Sequence, residues 1–223
     1  MSYFTQDFLD FYIELAGNNH RDWFHANKKR YEKSVKEPFL AFIADFIARA
    51  QADDNTIQMR PQQAVFRINR DVRFSQDKSP YKLFSSGIIK PGAHRDMEIP
   101  GIYFEFGPEH LAVYGGSYQP SKTGLESIRR AIVTEPLALT NLLNAEAFKS
   151  HYGDLKGEQN VRLVKDFQAV REVQPLIANK QFYYTVEHPA EMVLREDLLD
   201  FMMGHYFAGK PVNRWLQQAM VFN

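Results

Sequence analysis

Apolar side chains recur three and four positions apart at Phe4, Phe8, Phe11, Tyr12 and Leu15, and Gly17 closes the run. That spacing predicts an amphipathic helix stopped by the glycine. Asn18 or Asn19 is the expected N-cap of a second helix carrying Trp23, Phe24, Asn27, Tyr31 and Val35. Pro38 ends that helix or starts a third, which runs to about Ala50 with Phe39, Phe42, Ile43, Phe46 and Ile47 on its apolar side.

The period then changes from helical to strand-like. Val65–Phe74 alternates, Ser75–Pro80 is rich in turn formers, and Tyr81–Lys90 is strand-like until Pro91-Gly92. Gly101–Phe106 and Glu109–Tyr114 predict a hairpin across Gly107-Pro108. Gly115-Gly116 closes the strands in a tight turn, and Ser121–Thr134 predicts a helix with Leu125, Ile128 and Ile132 on one side. Shorter helical pieces follow at Pro136–Asn144 and Glu146–Tyr152, with a loop at Gly153–Gly157. Three more helices are expected, at roughly Pro175–Thr185, Arg195–Phe207 and Pro211–Val221. The sum is an α+β protein, its helical N-terminus and C-terminus placed around a central, mainly antiparallel β-sheet. With no repeat, low-complexity tract or long linker, a single domain over residues 1–223 is expected.

Composition narrows the class. The 27 basic and 27 acidic side chains cancel, which argues against coating nucleic acid through bulk charge, so a nucleic-acid partner is unlikely on this reading. Cysteine is absent, excluding disulfides, thiolate metal sites and a cysteine nucleophile; a cytoplasmic location is expected. The segment MSYFTQDFLDFYIEL has neither a basic leader nor an unbroken apolar run, so no signal peptide and no membrane association are expected.

Charge is nevertheless concentrated in one place. Arg60, Arg67, Arg70, Arg73, Lys78 and Lys82 face only Asp71 and Asp77. On a strand, Arg67, Asn69, Asp71 and Arg73 point one way, and Phe66, Ile68, Arg70, Val72 and Phe74 the other. Arg70 thus falls among apolar positions and needs a partner, with Asp77, Asp71 or the carbonyls of Ser75–Ser79 within reach. Three uses fit such a block. It holds a small phosphate- or carboxylate-bearing ligand, it is an internal network fixed by Asp71 and Asp77, or it contacts an acidic protein partner or nucleic acid.

For the ligand use, the candidate residues are Arg67, Asn69, Arg70, Arg73, Lys78 and Lys82, joined by Asn27 and by Gly115 and Gly116. Asn27 shares a helix face with Trp23 and Tyr31, where its amide can pin the basic loop. The glycine pair precedes a helix start and permits close approach of an anion, although its spacing matches no nucleotide fingerprint. No cofactor is implied, and no metal set is convincing. The seven histidines show no i, i+4 pair, and the only grouping worth noting is His94-x-Asp96-x-Glu98 with Glu105. No catalytic constellation is visible either. Asp71 or Asp77 would be the base to test, but neighbouring arginines make a carboxylate a weaker base.

Three blocks resemble a large family of bacterial and fungal proteins known as a domain of unknown function. They are Asn18-Asn19-x-x-x-Trp23-Phe24-x-x-Asn27-Lys28-x-x-Tyr31-Glu32, then Phe66-Arg67-x-Asn69-Arg70-Asp71-x-Arg73-Phe74-Ser75-x-Asp77-Lys78-Ser79-Pro80-Tyr81-Lys82, and finally Gly101-x-Tyr103 through Gly115-Gly116-x-Tyr118-x-Pro120, with Leu125, Ile128, Arg129 and Ile132 after it. Beyond about Asn160 the likeness thins to Glu187-His188-Pro189 and a degraded stretch at Arg162–Phe167. The resemblance implies a fold family and no activity.

Overall fold

Side-chain spacing places the first helix correctly. In the computed structural model, which describes residues 2–92 and 98–221, α1 (Gln6–Gly17) buries Phe8, Phe11, Tyr12 and Leu15. The next segment differs from expectation. His20, rather than Asn18 or Asn19, caps α2 (Arg21–Ala26), its Nδ1 accepting from Trp23 N–H at 3.3 Å. Asn27 interrupts the helix; α3 (Lys28–Tyr31) and a π-helical turn, Glu32–Lys36, lead without a break into α4 (Glu37–Asp53). Pro38 follows just after the π-helical turn, inside a continuous helical run, where its missing N–H leaves one backbone hydrogen bond unmade. Phe39, Phe42, Ile43, Phe46 and Ile47 are all buried there.

The sheet contains β1 (Ser85–Ile89), β2 (Gly101–Phe106), β3 (Leu111–Ser117) and β4 (Phe182–His188), antiparallel and in the order β1-β2-β3-β4. The protein is therefore α+β, with helices at both ends of the chain. Along β2, Ile102, Phe104 and Phe106 are buried and the residues between them are half-buried, the alternation its sequence shows. The β2–β3 turn closes with Gly107 N–H donating to His110 O at 3.1 Å. His94 and Asp96 of the noted metal grouping lie outside the described residues.

Three sequence expectations change in and around the sheet. Val65–Phe74 is not a regular strand but an arm joined by single bridges, Val65 to Gly87 and Asn69 to Tyr81. Asp71 and Asp77 side chains bond Arg73 N–H and Ser79 N–H and so compete with the ladder. The exposure alternation persists from Phe66 to Arg73 and fails at Phe74, which is 96% exposed. Second, Gly115 and Gly116 lie inside β3 and are not a turn. Third, the segment expected as a helix over Pro175–Thr185 is a 3-10 turn, Pro175–Ala178, followed by β4, whose Phe182-Tyr183-Tyr184-Thr185-Val186 run favours a pleated surface.

In the later part of the chain, α5 (Pro61–Ala64) has preceded the sheet, and α6 (Lys122–Thr134) starts at Ser121, whose Oγ accepts from Gly124 N–H. Then come α7 (Ala138–Leu143), α8 (Glu146–Tyr152), α9 (Lys165–Gln168) and α10 (Leu198–Val221). The last merges two expected helices across Pro211. Buried Val212, Asn213, Leu216 and Ala219 hold the turns beyond the proline against its cost of about 3 kcal/mol.

The chain divides into two compact units. One comprises Met1–His94, Tyr103–Val113 and Glu187–Met203; the other comprises Arg95–Ile102, Tyr114–Val186 and Gly204–Asn223. The first is centred on tilted and edge-on rings. Phe4 meets Phe8 at 4.4 Å and Phe106 at 5.8 Å, and Phe42 meets Phe104 at 5.9 Å. Gly87 of β1 admits this packing, since a Cβ there would lie 2.8 Å from Ile43 Cδ1. The second is centred on Tyr152 and Tyr184, 4.4 Å apart, with Phe148 edge-on to Tyr184 at 5.1 Å.

Candidate functional site

The basic arm is tied to the first unit by an amide that mimics a backbone strand. Asn19 Nδ2 donates to Tyr81 O at 3.0 Å, and Tyr81 N–H donates to Asn19 Oδ1 at 3.1 Å. Phe24 stacks on the Tyr81 ring at 4.1 Å. Asn27, expected in that role, instead donates to Trp23 O of its own helix at 3.0 Å. The pinning amide is thus a neighbour in the same motif. Asn19 was open to it because His20 had taken the cap.

Within the arm, most of the cations are already answered. Arg70 is half-buried, as its register required, and pairs with Asp77 while donating to Ser79 O at 3.2 Å. Arg73 forms a two-pronged pair with Asp71 at 3.0 and 2.7 Å, and Lys78 donates to Val72 O at 2.9 Å. Ser79, through its hydroxyl and its N–H, and Arg70 hold the Asp77 carboxyl at about 2; the Arg73 guanidinium does the same for Asp71. Both are anions at neutral pH and poor proton acceptors, so neither suits general-base work.

In the arm itself, Arg67 and Lys82 have no ion pair among the described residues. Arg67 is exposed and has no ion pair or hydrogen bond among the described residues. Lys82 is half-buried, its ammonium 5.4 Å from the Phe66 ring centre and 5.7 Å from that of Phe84. Burial pushes the Lys82 amine below the usual lysine range, an effect that Glu105 opposes. No carboxylate of the described residues reaches ion-pair distance of it. Lys82 lines a cavity of about 550 Å³ together with Asn19, Arg70, Tyr81, Phe84 and His110. Beside it, Glu105 accepts from Tyr103 Oη at 2.6 Å and lies 3.9 Å from His110 Nε2.

Asn69 is exposed, its backbone bridged to Tyr81. Gly115 and Gly116 have a packing reason in the second unit. A Cβ on Gly115 would lie 2.2 Å from Tyr184 Cζ, and one on Gly116, at φ +84°, 2.2 Å from Phe182 O. Sequence reasoning did not bring Asn19, Phe84 and His110 to this site, and it named Glu105 only in a metal grouping. The signal for Glu105 was present: in β2 it takes the opposite face from buried Phe104 and Phe106. Among the described residues, no group of three or more His, Asp or Glu side chains is placed to hold a metal ion, and no helix is long and apolar enough to cross a membrane.

A family model described as "Conserved hypothetical protein (DUF2461)" matches residues 7–215. Comparison with curated proteins and with solved structures gives no match.

Proposed function

The chain belongs to the DUF2461 family of conserved hypothetical proteins, and from that premise we propose that it binds a small phosphate- or carboxylate-bearing molecule in the cavity beside Lys82. One observation carries this reading: a half-buried ammonium near the Phe66 and Phe84 rings lines a cavity whose carboxylates, Asp71, Asp77 and Glu109, all lie beyond ion-pair distance of it. A desolvated charge without an ion-pair contact is costly, and an anion entering the cavity would offset that cost. Arg67 supplies a second free cation in the same arm, and Arg70 supplies whatever donors Asp77 leaves. Asn19 and Tyr81 set the arm's position; Arg73, Lys78, Asn27, Gly115 and Gly116 are assigned to structure. The absence of cysteine supports a cytoplasmic setting.

The test is a thermal-shift screen of inorganic phosphate, sugar phosphates, citrate and acetate against the native chain and Lys82→Gln. An anion at a hundred times its Kd adds about 2.7 kcal/mol to native stability. For a chain of this size that is about 5–11 °C. The expected result is such a shift in the native chain and its loss in Lys82→Gln. Equal shifts in both proteins would remove the reading.

A second reading, a contact surface for an acidic protein partner, is favoured by Phe74. This ring is 96% exposed on an arm stapled by its own hydrogen bonds, beside Arg73 at 5.9 Å. An exposed aromatic beside a cation is a suitable anchor for an interface. Poly-glutamate at low salt should then slow amide exchange over residues 71–78 in the native chain and less so in Phe74→Ser. Unchanged exchange in the native chain rejects it.

A further inference from the structure

In the second unit, a groove of about 910 Å³ follows α6 and is bounded by residues 162–167. Lys122, Leu125, Arg129 and Val133 repeat at helical steps and so share one side of α6. Arg129 sits at its centre. Its Nε donates to Ile177 O at 3.0 Å and its Nη2 to Asn179 O at 3.1 Å, while the guanidinium lies 5.9 Å from the Phe167 ring centre. Backbone carbonyls therefore fix its direction without neutralising its charge, and Nη1 remains available. Burial pushes the guanidinium below its usual range, which agrees with a missing counter-charge.

The other charges along the groove do not supply one. Arg130 is neutralised by Glu126 at 2.5 Å, and neither Lys122 nor Arg162 has an ion pair or hydrogen bond among the described residues. Lys122, Arg129 and Arg162 are thus set against Asp166 alone, for a positive excess. Apolar surface lies alongside: Leu125, Leu163 and Phe167 line the same space, and Val164 is 63% exposed. The volume falls within the range of about 300–1,000 Å³ found for small-molecule sites.

We propose that this groove is a second binding site, for an amphipathic anion. The ligand is a carboxylate or phosphate monoester on a hydrocarbon chain, its head on Arg129 and Arg162 and its chain along Leu125, Val133 and Phe167. The site is separate in sequence from the Lys82 cavity and shares no lining residue with it.

Calorimetric titration tests it, with acetate, hexanoate, octanoate and decanoate below micelle-forming concentrations, in the Lys82→Gln background so that the first cavity cannot hold the carboxylate. Decyltrimethylammonium serves as the charge-reversed amphiphile. Expected is one saturable site whose affinity rises about fourfold per added methylene. Decyltrimethylammonium should bind at least tenfold more weakly than decanoate. Arg162→Gln, at an exposed position, should weaken decanoate severalfold with circular dichroism unchanged, and Arg129→Lys should do so more strongly because the fixed fork is lost. Equal binding of the two amphiphiles, or undiminished decanoate binding in both folded variants, would overturn the proposal. So would adsorption to phosphatidylglycerol vesicles with no saturable binding of free decanoate.

Discussion

Replacing Gly115 by alanine should damage the second unit while leaving the Lys82 cavity alone. Tyr184 is 1% exposed, and its ring is seated against two glycines. An added Cβ would lie 2.2 Å from its Cζ and Oη at Gly115, and 2.1 Å from its Oη at Gly209. The hydroxyl is also committed to Asn213, whose Oδ1 accepts from Gly116 N–H at 2.8 Å. Relief of the clash requires the ring to shift by about 1 Å, and the second glycine leaves no room on that path. Overpacking of a core costs about 1–3 kcal/mol, and a doubly confined ring belongs at the upper end. About 3 kcal/mol corresponds to about 6–12 °C in Tm for a chain of this length. Urea and thermal denaturation measure both numbers. Gly17→Ala is the control, since a Cβ there meets nothing within 4 Å. Combining Gly115→Ala with Tyr184→Leu should destabilise less than the two single changes summed, because the methyl then enters vacated space. If Gly115→Ala melts like Gly17→Ala, the packing account of this glycine is wrong and its anion-binding alternative regains ground.

Asn19→Ala removes two hydrogen bonds to Tyr81 and should cost about 1–3 kcal/mol in urea denaturation. Asn27→Ala should stay within about 0.5 kcal/mol, and a reversed order would return the pinning role to Asn27. Asp77 has a folded-state pKa depressed to about 2 from 3.8, so its contribution is complete above the unfolded value and lost as pH falls through about 2. The amide resonance of Ser79, which donates to Asp77 at 2.9 Å, should therefore titrate near pH 2 and lose that step in Asp77→Asn; a midpoint near 4 contradicts the assigned contacts.

Local periodicity made the N-terminal helices, α6 and the β2–β3 hairpin legible, because one apolar face per element carries most of their placement. The errors occur where long-range packing overrides a local signal. Pro211 looks like a break, yet buried Val212, Leu216 and Ala219 keep α10 continuous. Gly115-Gly116 looks like a turn, yet the partner that demands small residues, Tyr184, is far off in sequence. In the basic arm, alternation correctly put Arg70 inward but placed Phe74 with it. Side-chain bonds from Asp71 and Asp77 end the strand before that position. Lys82 was found through charge clustering alone. Its distinction from Arg70, Arg73 and Lys78 depends on which acceptors fold onto each cation, and no linear pattern records that.

If Lys82 is a desolvated cation that an anion pairs, the ¹³Cε–Hε resonance of this lysine in nuclear magnetic resonance reports it directly. A titration of the free protein should give a midpoint below that of solvated lysine, about 10.4. Saturating inorganic phosphate or citrate should move the midpoint upward, because an adjacent anion favours the charged amine. A midpoint at the solvated value, unmoved by either anion, would contradict that reading of Lys82.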